Sequence, residues 1–339
     1  MTDAPYRSAV MVGATAWGTT LAVLLARNGL PVTLLTRSAE EAAGLNADRQ
    51  HRGRLPDIPF PPSLVASGDP AALGHADLVC LAVPAQSMRA NLDLIAGYVG
   101  PGATLLSASK GIEIATGLRM SELLRERLPG YPVAALSGPN LSREVAAGLP
   151  STTVIASSDA PLEALRGAFH GAAFRVYTTE DIVGVEFGGA LKNIIAIAAG
   201  IVDALGYGDN AKAAMITRGL AEMMRLGVAA GADPLTFLGL AGVGDLVASS
   251  YSALARNRRL GELLGGGQSL ATALEAIGAT AEGAATTQAA LNLARRLGVE
   301  MPIAEALQGI LSGETAPETA VATLLQRDPK PERPLSDLR

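Results

Sequence analysis

Cysteine and histidine are scarce in this chain of 339 residues, and each scarcity removes a class of function. The one cysteine, Cys80, has no partner for a disulfide. It lies in the apolar run Leu78-Val79-Cys80-Leu81-Ala82-Val83 and reads as a small core residue without a redox or ligand role. The histidines, His51, His75 and His170, are scattered, with no second metal-binding side chain beside any of them. That spacing leaves no zinc site and no histidine-based catalytic triad, so no metal is expected. With 27 Lys and Arg against 32 Asp and Glu the net charge is −5, which provides no broad basic surface for nucleic acid. The first residues lack a cationic segment followed by an apolar stretch, so the expected location is the cytoplasm. Phe187 to Leu205 is apolar enough to raise the question of a membrane span, but Lys192, Asn193 and Asp203 interrupt it. It reads as a buried helix.

What is present has the pattern of two domains. Up to about Thr178, short apolar runs alternate with helical stretches, as in parallel βαβ units. The expected strands are Ser8–Val12, Val32–Leu35, Leu78–Val83, Thr104–Ser107, Val133–Leu136, Thr152–Ala156 and Phe174–Tyr177. Helices are expected at Trp17–Asn28, closed by Gly29, and at Ala85–Tyr98 behind Pro84. After Asp181 the strand-like runs stop and helix follows helix: Val183–Leu205, Ala211–Ala230, Pro234–Leu240, Asn257–Leu264, Ser269–Ala276, Thr286–Leu297 and Ala304–Ser312. Asp233-Pro234 has the form of a helix opening. The expected fold class is α/β, an N-terminal Rossmann-like doubly wound sheet (residues 1–181) followed by an all-α domain (182–326). Residues 327–339, proline-rich and charged, read as a disordered tail.

Ser8–Val12 runs into Gly13-Ala14-Thr15-Ala16-Trp17-Gly18 and then a helix, the setting of a dinucleotide-binding turn. Gly13 permits the tight turn and Gly18 close helix–strand packing, but the middle glycine of the fingerprint is replaced by Thr15, which predicts weaker nucleotide binding. Roughly 20 residues beyond such a turn an acidic residue favours NAD. Here the second strand ends in Thr36-Arg37-Ser38, and Arg37 suits a 2′-phosphate, so NADP(H) is preferred with NAD(H) tolerated.

Further on, Lys192 stands in an otherwise apolar helix with Glu186 as the only other ionisable group nearby. A partly desolvated ammonium is suited to proton transfer, and reduction of a ketone by hydride needs a proton donor. Asn193, adjacent, is a candidate contact for substrate or cofactor amide. Lys110-Gly111 and Ser137-Gly138-Pro139-Asn140 follow strands, at the end of the sheet where ligands bind. Asp245, flanked by glycine, is placed to orient a lysine or a substrate hydroxyl. Arg256-Asn257-Arg258-Arg259 is either a solvated face or a phosphate fork. On these residues alone, a hydroxyacid or ketoacid dehydrogenase and a non-catalytic nucleotide sensor remain open.

Phe187-Gly188-Gly189-Ala190-Leu191-Lys192-Asn193, Ile216-Thr217-Arg218-Gly219-Leu220-Ala221-Glu222, Gly244-Asp245-Leu246 and Arg256-Asn257-Arg258-Arg259 together resemble the bacterial NAD(P)-dependent glycerol-3-phosphate dehydrogenase family. Ser109-Lys110-Gly111, Ser137-Gly138-Pro139-Asn140 and Ala281-Glu282-Gly283 add to the resemblance, which runs from about Ala9 to Leu325. It implies interconversion of sn-glycerol 3-phosphate and dihydroxyacetone phosphate for phospholipid synthesis, by a homodimer without an integral membrane segment. It implies Lys192 as the catalytic proton donor and acceptor, and Lys110, Gly138, Asn140, Asp245, Arg256 and Asn257 around the substrate. Ala16, Trp17, Arg37, Lys110, Ser142, Arg256, Thr280 and Glu282 fall on its cofactor-contacting positions. Thr15, Ala16 and Ala255 depart from the family pattern. The two alanines replace hydroxyls able to bind phosphate, a loss on the order of 1–3 kcal/mol per bond that weakens binding without abolishing it.

Overall fold

The computed structural model describes residues 6–278, 281–328 and 332. Their contacts divide into two units: one contains residues up to Lys110 and Arg119–Ile182, the other Gly111–Leu118 and the chain from Val183 onward. The segment 111–118, placed by the sequence reading in the N-terminal domain, therefore belongs to the C-terminal unit.

The strands of the first unit are β1 (Ala9–Val12), β2 (Val32–Leu35), β3 (Gln50–His51), β4 (Leu55–Pro59), β5 (Leu64–Ser67), β6 (Leu78–Leu81), β7 (Thr104–Ser107), β8 (Val133–Ser137), β9 (Ser151–Ala156) and β10 (Phe174–Thr179). Its helices are α1 (Ala16–Arg27), α2 (Ala39–Asp48), α3 (Met88–Ile95), α4 (Met120–Arg127), α5 (Ser142–Ala146) and α6 (Leu162–Phe169). Eight strands form one sheet in the order β10-β9-β8-β7-β6-β1-β2-β5, and β3 pairs with β4 apart from it. The central strands β1, β6 and β7 are buried at every position, as strands covered on both faces must be. Cys80, in β6, is fully buried, and desolvation pushes its thiol far above the ordinary range, consistent with a core role.

Two features correct the sequence reading. β5 pairs with β2 at the sheet edge, and the β3–β4 hairpin precedes it, in a proline-rich stretch without strand-like periodicity. The sheet is also not wholly parallel: β9 runs antiparallel to β8, then β10 resumes parallel to β9. Between β8 and β9 the only helix is α5, of five residues. At 1.5 Å per residue it is far too short to carry the chain back along the sheet, so the chain doubles back instead.

The second unit contains α7 (Ile182–Ala204), α8 (Gly208–Ala229), α9 (Asp245–Tyr251), α10 (Arg256–Gly265), α11 (Leu270–Ile277), α12 (Glu282–Leu297), α13 (Pro302–Leu311) and α14 (Pro317–Leu325), with no strand among its described residues. Helix α7 is long and apolar enough to cross a membrane, yet 89% of its most apolar window is buried inside the protein. It is the core helix the sequence implied. Its faces are set by glycines. A Cβ on Gly261 would lie 1.9 Å from the Ile197 carbonyl oxygen, and one on Gly200 2.0 Å from that of Arg258. Helices α7 and α10 thus meet backbone to backbone, and no larger residue fits. Asp203 near the end of α7 joins three helices, accepting from Lys212 of α8 at 2.8 Å and from Arg258 of α10 at 2.9 Å. The Lys212 ammonium also lies 4.3 Å from the Tyr251 ring centre on α9.

The expected helix over Pro234–Leu240 is instead a 3-10 turn, Pro234–Leu238, followed by an irregular turn, Leu240–Gly244, kinked at Gly242 (φ −92°, ψ −107°), that leads directly into α9. Asp233 caps it as expected, accepting from the Leu235 amide at 2.9 Å. Thr286–Leu297 also starts early, at Glu282.

Glu222, in the Ile216–Glu222 motif, is buried on α8 and caps another helix. Its carboxylate accepts from the amides of Ile303 at 2.7 Å and Ala304 at 3.3 Å, the first turn of α13. Burial outweighs these bonds and raises its pKa to about 7. A carboxyl group with a raised folded-state pKa gives stability that is full below the ordinary carboxylate range and is lost as pH rises through about 7. Thermal unfolding between pH 5 and pH 8.5 is expected to show this loss, on the order of 2–3 kcal/mol. Glu222→Gln should flatten the slope, and an unchanged slope would contradict the assignment.

Candidate active site

In the first unit, the chain leaves β1 to one neighbour, β2, and returns on its other side as β6, so the ends of β1 and β6 flank the topological switch point of the sheet. The Gly13–Gly18 turn lies there. Gly13 has φ +105°, and a Cβ on it would come within 2.8 Å of the Val83 side chain; one on Gly18 would lie 2.1 Å from the Gly13 carbonyl oxygen. Both glycines are therefore obligatory, whereas Thr15 has an extended backbone open to any residue. Its hydroxyl is turned inward. It donates to the Ala82 carbonyl at 2.8 Å across the switch point and accepts from the Gly18 amide at 3.0 Å as the N-cap of α1. The substitution that the sequence reading counted against nucleotide binding thus serves as a cap. His51 of β3 adds a support with no sequence signature, its Nε2 lying 3.1 Å from the Ala14 carbonyl oxygen. Burial lowers the pKa of this histidine, favouring the neutral ring.

Ala16 and Trp17 form the first positions of α1, where backbone amides lack intrahelical acceptors. The buried Trp17 Nε1 has no hydrogen-bond partner. Arg37 stands just past β2 with its side chain exposed. A glycine-floored turn, open amides at a helix start and an exposed arginine after the second strand fit a nicotinamide dinucleotide with a 2′-phosphate.

Beyond β7, Ser109 Oγ donates to the Val83 carbonyl at 2.6 Å and Lys110 Nζ to the Gly138 carbonyl at 2.9 Å, so the Lys110 and Gly138 loops come together. Asn140 is committed differently. Its carboxamide donates to the Thr152 carbonyl at 2.9 Å and accepts from Thr153 Oγ1 at 3.0 Å, binding the loop to β9. Ser142 opens α5, and its carbonyl accepts from Thr20 of α1 at 3.1 Å.

In the second unit, a Cβ on Gly188 would lie 2.6 Å from the Ala241 carbonyl oxygen, so the kinked turn Leu240–Gly244 packs directly on α7. Lys192 is four residues on, on the same face of the helix. It therefore meets the start of α9, into which that turn leads: its Nζ donates to Asp245 Oδ1 at 2.9 Å and to Ser249 Oγ at 2.5 Å, and Ser249 donates to Asp245 at 3.2 Å. Lys192, Asp245 and Ser249 are all buried. The lysine–carboxylate pairing was legible from sequence. Ser249 was not singled out there, although its i+4 spacing from Asp245 marks it as sharing a face of α9.

The next residue, Asn193, faces α10. Its Oδ1 accepts from Asn257 Nδ2 at 2.8 Å, while Asn257 Oδ1 accepts from the Gly283 amide at 3.1 Å, linking α7, α10 and the first turn of α12, where Glu282 stands. In the Arg256–Arg259 cluster, Arg256 stands at the first position of α10 with its residue exposed, and Arg258 is bound to Asp203 and to Glu262 at 2.8 Å. Ala255 is the N-cap of α10 and supplies no side-chain cap. Thr280 lies outside the described residues.

The chain matches the family model described as NAD-dependent glycerol-3-phosphate dehydrogenase N-terminus over residues 8–163 and the corresponding C-terminus model over residues 181–322. It belongs to the NAD-dependent glycerol-3-phosphate dehydrogenase family. An NAD(P)+ glycerol-3-phosphate dehydrogenase from Acidovorax sp. (strain JS42) is 48% identical over 329 residues, 96% of this chain and 99% of the relative. One from Streptomyces avermitilis is 44% identical over 333 residues, 97% and 99% of the two chains. The crystal structure of a glycerol-3-phosphate dehydrogenase from Coxiella burnetii, 37% identical, superposes with a TM-score of 0.91 and covers 95% of this chain and 99% of its own. Within this family's dinucleotide turn, Thr15→Ala removes both the cap and the bond across the switch point. It is expected to lower unfolding stability by about 1–2 kcal/mol in urea denaturation. A change under about 0.5 kcal/mol would show that the hydroxyl is idle.

Proposed function

We propose that the chain interconverts sn-glycerol 3-phosphate and dihydroxyacetone phosphate with NADP(H) in preference to NAD(H), and that Lys192 supplies and removes the hydroxyl proton. The observation that carries this reading is the buried cluster of Lys192 on core helix α7 with Asp245 and Ser249 of α9, in a family member. When bound, the nicotinamide cofactor supplies or accepts the hydride. In reduction, Lys192 protonates the carbonyl oxygen as the carbon–oxygen π bond opens, giving the alcohol and a neutral amine. In oxidation the amine takes that proton back. Asp245 holds the side chain in one direction and stabilises its charged form, and Ser249 fills a further donor direction of the ammonium. Little water competes there, so the pair stays oriented.

The cofactor would rest on Gly13, Ala16, Trp17 and Gly18, with Arg37 on the 2′-phosphate and Lys110, Ser142, Arg256 and Glu282 as further contacts carried over from the resemblance. Thr280 is carried over with them. Lys110, Gly138, Asn140, Asp245, Arg256 and Asn257 would surround the substrate, with Arg256 on its phosphate. Asn140 and Asn257 would act chiefly by shaping the site, because their carboxamides are already engaged. Supply of glycerol phosphate for phospholipids, a homodimer and a cytoplasmic location follow from the resemblance.

Lys192→Ala is expected to lower kcat for dihydroxyacetone phosphate reduction by about a thousandfold or more, followed by NADPH absorbance. NADPH binding, read by quenching of Trp17, the chain's one tryptophan, should stay unchanged. Retained turnover would remove the lysine from the mechanism. Arg37→Ala is expected to reduce the NADPH-over-NADH preference by about tenfold in kcat/KM. Equal loss with both cofactors would place Arg37 outside the 2′-phosphate site.

A further inference from the structure

The chain passes between its two units at Lys110/Gly111, returns at Leu118/Arg119 and crosses again at Ile182/Val183. Lys110 is thus the last residue before a short strap, 111–118, that folds with the helical unit. The strap closes on itself: the Glu113 amide donates to the Leu118 carbonyl at 2.9 Å, the Gly117 amide to the Glu113 carbonyl at 2.8 Å, and Thr116 Oγ1 to Glu113 Oε2 at 2.5 Å. A closed turn of this kind moves as one piece. It is fastened to the helical unit both by apolar packing and by a hydrogen bond to its last turn. Ile112 is fully buried in the helical core and Ile114 packs against it. Arg296, near the end of α12, donates from Nη1 to the Thr116 carbonyl at 3.2 Å. Gly117 has φ +77°, and a Cβ there would lie 2.2 Å from Arg296 Nη2, so the guanidinium rests against bare backbone.

On the other side Lys110 follows Ser109, whose hydroxyl is fixed to the Val83 carbonyl at 2.6 Å. Its backbone is therefore set between one anchor a single residue before it and another two residues after it. Loosening either widens the range of positions open to the ammonium and dilutes it as a ligand.

We propose that Arg296 is a positioning residue for Lys110. By clamping the Thr116–Gly117 turn it holds the strap, and the strap fixes the backbone from which Lys110 reaches an anionic phosphate of substrate or cofactor. This rests on the reading of Lys110 as a phosphate contact. Arg296 is exposed, so it is no part of the helical core. Arg295 beside it makes a different bond, to Asn292 of its own helix at 3.2 Å, and serves as the control.

The test measures steady-state reduction of dihydroxyacetone phosphate, NADPH affinity by Trp17 quenching, and amide hydrogen exchange over 111–118 in the full chain. Arg296→Ala is expected to raise KM for dihydroxyacetone phosphate about fivefold and weaken NADPH comparably, with kcat within about twofold of the original. Exchange over the strap should rise. Gly117→Ala, which displaces the guanidinium, should act alike, Arg296→Lys should recover most of the affinity, and Arg295→Ala should change nothing. Unaltered exchange and affinities in Arg296→Ala, or equal losses in Arg295→Ala, overturn the proposal. If the unmodified chain fails to reduce dihydroxyacetone phosphate, the functional reading fails, and Arg296 is then judged on exchange and NADPH affinity alone.

Discussion

A lysine ammonium buried on a long, predominantly apolar helix must be paired, and the packing around α7 meets that requirement. Burying an unpaired charge would cost several kcal/mol, so the Lys192 Nζ needs acceptors held in place before folding can tolerate it. Gly188, one turn earlier, admits the backbone of the turn kinked at Gly242, and that turn delivers Asp245 and then Ser249 to the lysine. The same packing that satisfies the charge leaves a directed proton donor, so stability and chemistry depend on one contact.

A neighbouring face of α7 shows a related close approach. Gly200 and Gly261 let α10 approach backbone to backbone, which brings Asn257 to Asn193 and, through it, to the first turn of α12. Helix starts recur at the candidate binding positions: Ala16 and Trp17 on α1, Arg256 on α10 and Glu282 on α12. A helix N-terminus offers open amides and partial positive charge, which suits phosphate. The sequence places a capping hydroxyl at Thr15 and omits one at Ala255, so α1 enters its turn with a side-chain cap and α10 without.

The alternation of apolar strands and helices was enough to read the sheet, because fully covered strands carry an unbroken apolar signal. The glycine turn and the lysine were legible for the same reason: each residue is costly in its place unless it serves something. What escaped has physical causes. β5 and the β3–β4 hairpin lie at an edge or outside the sheet, where exposure removes the signal. The reversal at β9 depends on the five-residue length of α5, which sequence periodicity does not report. Thr15 looked like an obstruction because its rotamer, pointing inward to Ala82, cannot be read from residue type. Ser249, Arg296 and the strap 111–118 owe their places to tertiary contacts, and a division of the chain into contiguous pieces hides a segment that folds with the other unit.

The pH dependence of kcat/KM for dihydroxyacetone phosphate reduction, compared between the unmodified chain and Asp245→Asn, tests the paired lysine most directly. If Lys192 is the proton donor and Asp245 stabilises its charged form, the rate falls on the alkaline side and that limb moves to lower pH in the variant. An alkaline limb that stays in place, with activity reduced evenly at all pH values, would contradict the pairing as the source of the chemistry.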